Sequence, residues 1–382
     1  MTLKLAKRGT VAPFIVMDVL RAANEREAKG DDVIHLEVGQ PSTGAPQKVI
    51  EATQKALLSD KIGYTDALGI APLRERISQH YKDYYNVDVP AHRVVVTTGS
   101  STGFLLSFLC AFEPGDKIGL TAPGYPAYRN ILRALGYQPI EIEVGPETHF
   151  QPTPEILDNL GVDLDGLIVA SPGNPTGSML STADLQILCA YCDQKGIRFI
   201  SDEIYHGITY DQRANTAVEF SDNVILINSF SKYFSMTGWR LGWMVVPENM
   251  VRPVECLAQN MFISAPTLSQ YGGVAAFDCM EEAEANVALY AKNRELLLNE
   301  LPKAGFTKLA PSDGAFYIYS DVAHLTNDSQ AFCRDILEKT GVATTPGVDF
   351  DSARGDHFMR FSYAGSFEQM REAAKRLQAY LK

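Results

Sequence analysis

Between about residue 93 and residue 246 the chain alternates short apolar runs with stretches of helical period, and few folds accommodate that rhythm. Val94-Val95-Val96-Thr97-Thr98, residues 117–121, 138–144 and 166–170, Arg198-Phe199-Ile200-Ser201 and Val224-Ile225-Leu226-Ile227 read as strands. Residues 104–112, 128–135 and 182–195 read as helices between them. Strands buried on both faces lose their polar alternation, and a helix between strands returns the chain for parallel pairing. The pattern predicts an α/β fold with a mainly parallel sheet sandwiched by helices. Open sheets of this kind bind ligands beyond the carboxyl ends of their strands, so the residues that follow each strand are the first candidates for chemistry.

The flanks read differently. Residues 13–29, 46–58 and 72–85 have helical period, and Ile34-His35-Leu36-Glu37-Val38-Gly39 reads as a strand ending in glycine. Residues 251–301 are helical in pattern. After them come a strand at 314–319, a helix at 329–340, a loop Thr345-Pro346-Gly347, a strand at 358–362 and a closing helix at 367–382, a small α+β unit. A length of 382 residues fits two domains.

Charge and composition exclude several classes. A formal net charge of −12 disfavours nucleic acid as a partner. No apolar run reaches the roughly 20 residues that span a bilayer. The N-terminal Lys4, Lys7 and Arg8 precede an apolar run interrupted by Pro13 and stopped by Asp18, which is not a secretory leader. The six cysteines predict reduced thiols in a cytoplasmic protein. Cys189 and Cys192 share one face of a predicted helix and read as core rather than as a metal pair.

The most informative stretch is Asn228 to Trp243, NSFSKYFSMTGWRLGW. Lys232 stands among Phe230, Tyr233 and Phe234, surroundings expected to desolvate its ammonium and lower its pKa, as an amine nucleophile requires. Arg240 offers a planar fork for a phosphate, and Ser229 a hydroxyl for the same anion. A lysine beside a phosphate cup suggests a phosphorylated aldehyde held as an imine, namely pyridoxal 5′-phosphate. Upstream, Gly99-Ser100-Ser101-Thr102-Gly103 lies between a strand and a helix, where free N–H groups favour an anion. The same five residues also match Gly-x-Ser-x-Gly, the nucleophile elbow of serine hydrolases, with Ser101 as nucleophile. That alternative lacks an upstream glycine-rich oxyanion segment and leaves Lys232, Asn174 and Asp202 without a role.

The run Ser229-Phe230-Ser231-Lys232-x-x-Ser235-Met236-x-Gly238-x-Arg240-Leu241-Gly242 resembles the cofactor-attachment signature of class I/II aminotransferases, the aspartate aminotransferase superfamily. The resemblance extends from about Gly39 to Arg360, with the motifs in family order. It implies the fold type I architecture, with a seven-stranded sheet. A large cofactor-binding domain is expected over residues 46–280, and a small domain over 1–45 with 281–382. It implies that Lys232 carries pyridoxal 5′-phosphate as an aldimine and later moves a proton from the substrate. Asn174, in Ser171-Pro172-Gly173-Asn174-Pro175-Thr176-Gly177, and Tyr205 are expected at the phenolic oxygen, and Tyr125 stacked on the ring. Gly39 and Arg360 are expected at the substrate carboxylate. Tyr64 is expected to reach the phosphate of a partner subunit, which makes the protein a homodimer.

Two site residues, Asp202 and Arg360, have independent physical support. Asp202 ends an apolar strand. A carboxylate about 4 Å from a pyridine nitrogen interacts by about 4 kcal/mol at an effective dielectric near 20. That energy is roughly three pKa units, enough to keep the ring protonated as an electron sink. Arg360 sits between Met359 and Phe361 in a predicted strand, a costly place for a charge unless it faces a site. The activity implied is transfer of an amino group between an L-amino acid and a 2-oxo acid. A C–S β-lyase would use the same residues. A non-enzymatic sensor of the cofactor would need a DNA-binding extension. No position stands out as a second cation for a dicarboxylic substrate, whereas Phe14, Ile15, Met261 and Phe262 hint at an apolar side-chain pocket.

Overall fold

A computed structural model describes residues 3–59 and 61–382. Its centre is a seven-stranded sheet in the order Val94–Thr97, Gly242–Val245, Ile225–Ser229, Arg198–Asp202, Gly166–Ala170, Lys117–Ala122, Gln138–Glu143. Gly242–Val245 runs antiparallel to both its neighbours, and the other adjacent pairs are parallel. Every residue of Val94–Thr97, Ile225–Ser229 and Gly242–Val245 is buried. That burial accounts for the uninterrupted apolar runs in the sequence.

A second, antiparallel sheet orders Thr345–Pro346, Phe358–Ser362, Tyr317–Asp321 and Lys308–Leu309. Ile34–His35 pairs in parallel with Val342–Ala343. The N-terminal helix Ile15–Glu27 seats Ala23 and Val19 against Val33, Leu337 and Ala343. Cys189 and Cys192 are buried and unbridged in the helix Thr182–Lys195. No helix among the described residues is long and apolar enough to cross a membrane.

Four expectations need correction. The strand expected at 34–39 stops at His35, because Leu36 to Gly39 leave the sheet to hold other groups with their carbonyls. The strand expected at 314–319 starts at Tyr317, because Ala315 adopts φ 57° in the turn before it. Thr345-Pro346, expected as loop, forms a short edge strand on Arg360 and Met359. The Gly-Ser-Ser segment, expected as a loop before a helix at 104, is already the first turn of Gly99–Ala111. Ser100 and Ser101 fall in the first turn, where short hydroxyl side chains cost little, and Gly99 takes φ 71° as the chain enters the helix.

Candidate active site

A cavity of about 460 Å³ opens at the carboxyl ends of the central strands. Ala170, Asp202 and Ser229 reach it from three neighbouring strands, and Ser100 and Ser101 from the start of the helix Gly99–Ala111. Gly39, Tyr317, Arg360 and the N-terminal residues Phe14, Val16 and Met17 enclose it from the opposite side. Tyr125, Asn174, Tyr205, Lys232 and Arg240 complete the set selected from the sequence, with one exception. Tyr64 lies outside the cavity and is 82% exposed.

Lys232 Nζ donates to Gly39 O at 2.5 Å. Its pKa is lowered to about 8, first by burial, then by the guanidinium groups of Arg360 and Arg240, with Asp202 opposing. The rings around the amine differ from those expected. Tyr205 and Phe316 lie 5.9 and 6.0 Å from Nζ, whereas Phe230 and Phe234 pack away from it against Phe277. Sequence neighbours on a tight turn diverge, so the desolvating surface comes from elsewhere in the chain. Gly39 is obligatory at its position: a Cβ there would lie 1.6 Å from Tyr317 Oη.

Asp202 is buried at the end of its strand, and burial raises its pKa to about 6. Three interactions hold it down: the phenol of Tyr128, the Ile204 N–H on Oδ1 at 3.2 Å, and the charge of Lys232. Tyr128 was not among the residues picked from the sequence. It sits in the first turn of the helix Pro126–Leu135, where an aromatic ordinarily signals core packing, so its sequence gave no sign of the bond.

Arg360 is 3% exposed. Its Nη1 donates to Asn174 Oδ1 at 2.8 Å, and its Nη2 to Glu37 O and to Thr345 Oγ1. Its guanidinium lies 4.4 Å from the Tyr317 ring centre and 4.8 Å from that of Phe350. Its Nε has no partner among the described residues, an orphaned donor at the wall of the cavity. Tyr317, also missed in the sequence, shares a 2.8 Å hydrogen bond with the Tyr205 hydroxyl.

At the other end, Gly99 and Arg240 form a cradle. A Cβ on Gly99 would stand 2.6 Å from Arg240 Nη2, so only glycine lets the guanidinium approach the helix start. The N-cap residue Thr98 makes no side-chain cap to that helix, which leaves its first N–H groups suited to an anion. Ser229 lines the cavity, and its Oγ accepts from Ser231 N–H at 3.0 Å and donates to Leu241 O at 3.3 Å, which fixes its direction. Met261 and Phe262 do not line the cavity, nor does Ile15; Val16 and Met17 stand where an apolar wall was expected. The hydrolase alternative fails on geometry. Among the described residues lining the cavity there is no histidine, and His206 is occupied by Tyr85 Oη and Ser171 O.

The model of the family aminotransferase class I and II matches residues 31–377. The chain belongs to this family. It is 48% identical to the valine–pyruvate aminotransferase of Mycobacterium tuberculosis, over 100% of this chain and 99% of that protein. A crystal structure of an aminotransferase from Mycobacterium tuberculosis superposes with a TM-score of 0.98 at 48% identity, covering 100% of this chain and 99% of that one. The aspartate aminotransferase of Thermus thermophilus with maleate superposes with a TM-score of 0.93 at 29% identity, covering 99% and 100%.

As a class I and II aminotransferase the protein is an enzyme that uses pyridoxal 5′-phosphate. The residues present fit that group. The Gly99–Arg240 cradle and the uncapped helix suit its phosphate, the buried Asp202 carboxylate a cationic ring nitrogen, and the Lys232 amine an aldehyde.

Proposed function

We propose that this aminotransferase takes its amino group from an apolar L-amino acid of the valine type and passes it to a small 2-oxo acid such as pyruvate. The observation that carries this reading is the disposition of charge in the cavity. Among the described residues of one subunit, the basic groups that line it are Lys232, Arg240 and Arg360, and each has a task that leaves none for a side-chain carboxylate. Phe14, Val16, Phe104 and Ile131 line the rest of the wall. The 48% identity to a valine–pyruvate aminotransferase points the same way.

When bound, pyridoxal phosphate supplies an electrophilic aldehyde and an electron sink. Ser100, Ser101, Ser229 and Arg240 are proposed to hold its phosphate, Asn174 and Tyr205 its phenolic oxygen, and Tyr125 the face of its ring. Asp202, largely ionised above pH 6, would face the ring nitrogen. Arg360 orients the donor by taking its α-carboxylate, with Asn174 and the Gly39 segment beside it. Lys232 Nζ is the base that takes the proton from the donor's Cα. With a pKa of about 8, about one amine in ten is free at pH 7, against fewer than one in a thousand at its ordinary value of 10.5.

The remaining expectations are proposals of the same kind. The exposed Tyr64, beside exposed Ile62, Met261 and Ile263, suits a homodimer in which Tyr64 reaches the partner's phosphate. Division into a large domain at 46–280 and a small one at 1–45 with 281–382 accords with a central sheet contained within the former. Six free cysteines suit a cytoplasmic location. The test is a screen of amino donors and 2-oxo acids, with Lys232→Ala as control. Wild-type protein should yield a borohydride-fixed cofactor adduct and prefer valine over aspartate, and Lys232→Ala should lose the adduct and turnover. An adduct that survives in Lys232→Ala, or a strong preference for aspartate, would overturn the reading.

A further inference from the structure

The helix Ile15–Glu27 contributes Val16 and Met17 to the cavity wall, and Phe14 precedes it. Phe14 meets Tyr125 edge-on, with ring centroids 5.7 Å apart at 81°. Nothing nearby in sequence caps this helix, since Phe14 occupies the N-cap position and provides no side-chain acceptor. The acceptor comes from the far end of the chain. Asp349 Oδ1 accepts from Ile15 N–H at 3.2 Å, and Oδ2 accepts from Val16 N–H at 3.0 Å. Asp349 is 2% exposed and does not line the cavity.

A carboxylate that engages two N-terminal N–H groups fixes both the place and the direction of a helix's first turn. Burial of Asp349 favours its neutral form, while those N–H groups, Arg360 and Arg129 favour the anion. The next residue matters equally. Phe350 packs its ring 4.8 Å from the Arg360 guanidinium. Consecutive residues at the end of one 3-10 turn, Gly347–Asp349, therefore tie down the apolar wall and support the arginine proposed to take the donor's carboxylate.

We propose that Asp349 is a positioning residue for substrate selection: it docks the first turn of the N-terminal helix so that Phe14, Val16 and Met17 form the wall that the donor's branched side chain contacts. This rests on the reading of an apolar donor. An α-amino acid held by its carboxylate at Arg360 then meets a wall at a fixed offset. A side chain that fills the space gains contact, while alanine, with only a methyl group, gains little.

The test compares wild-type holoenzyme with Asp349→Ala and Asp349→Asn. Hydrogen exchange of the amides at 15–19 should quicken in Asp349→Ala by roughly five-fold or more. Its kcat/KM for valine should fall by about ten-fold, chiefly through KM, and for alanine by less than about three-fold. Asp349→Asn, which keeps one acceptor oxygen, should fall between the two and serves in place of the alanine variant if that one does not fold. Unchanged exchange at 15–19 would overturn the docking. Quickened exchange with equal losses for valine and alanine would overturn the role in selection. A wild type that disfavours valine would instead refute the apolar-donor reading, while the exchange comparison would still report on the docking.

Discussion

Tyr128→Phe isolates one bond at the centre of the site. The phenol donates to Asp202, and the ring packs on Phe104 and Tyr125 at centroid distances of 4.9 and 5.2 Å. Phenylalanine keeps those ring contacts and removes only the donor. A hydrogen bond to an ionised group contributes about 1.5–3 kcal/mol, equivalent to about one to two pKa units. The bond stabilises the carboxylate, so its loss must raise the pKa, from about 6 in the wild type toward the range of about 7–8. A cationic ring nitrogen would lower both values together, by the roughly three units worked out from its distance, and leave the difference between them in place. In a profile of kcat/KM against pH, the acid limb should move to higher pH by about one unit or more. The loss should be greatest on that acid limb, approaching roughly ten-fold for a shift of about one unit, and small on the alkaline side, where both carboxyls are ionised. An acid limb that stays put, or moves to lower pH, would refute the argument that Tyr128 holds Asp202 ionised.

Arg360→Lys keeps the charge but loses the planar fork that spans Asn174, Glu37 O and Thr345 and lies between the rings of Tyr317 and Phe350. Steady-state kinetics should show kcat/KM reduced roughly 100-fold or more, about 3 kcal/mol, with cofactor absorbance retained; near-normal kinetics would remove Arg360 from substrate binding. His35 sits 2.7 Å from Glu37 and 3.2 Å from Glu27, and the hydrogen bond to Glu37 leads in raising its pKa to about 9, against burial. Because the folded pKa exceeds the unfolded value of 6.5, this stabilisation is complete below pH 6.5 and is lost as pH rises through about 9. Urea midpoints should fall between pH 7 and 9.5, and His35→Gln should flatten that fall; an equal fall in the variant would count against the pair.

The sequence alone determined six of the seven strands of the central sheet, all but Gly242–Val245, and the places where chemistry accumulates on it. Strand and helix periods are local properties, so Gly166–Ala170 and Thr182–Lys195 were legible to the residue. Asp202 at a strand end and Arg360 between apolar neighbours stood out because a charge in such a place needs a partner. Tertiary structure decided what surrounds them. Lys232 meets Gly39 across 193 positions, Arg360 meets Asn174 across 186, and Asp349 holds Ile15 across 334. Tyr128, Tyr317 and Asp349 carry no local mark of their roles in the sequence. Their partners are set by how the sheets and helices pack, and no local period encodes that.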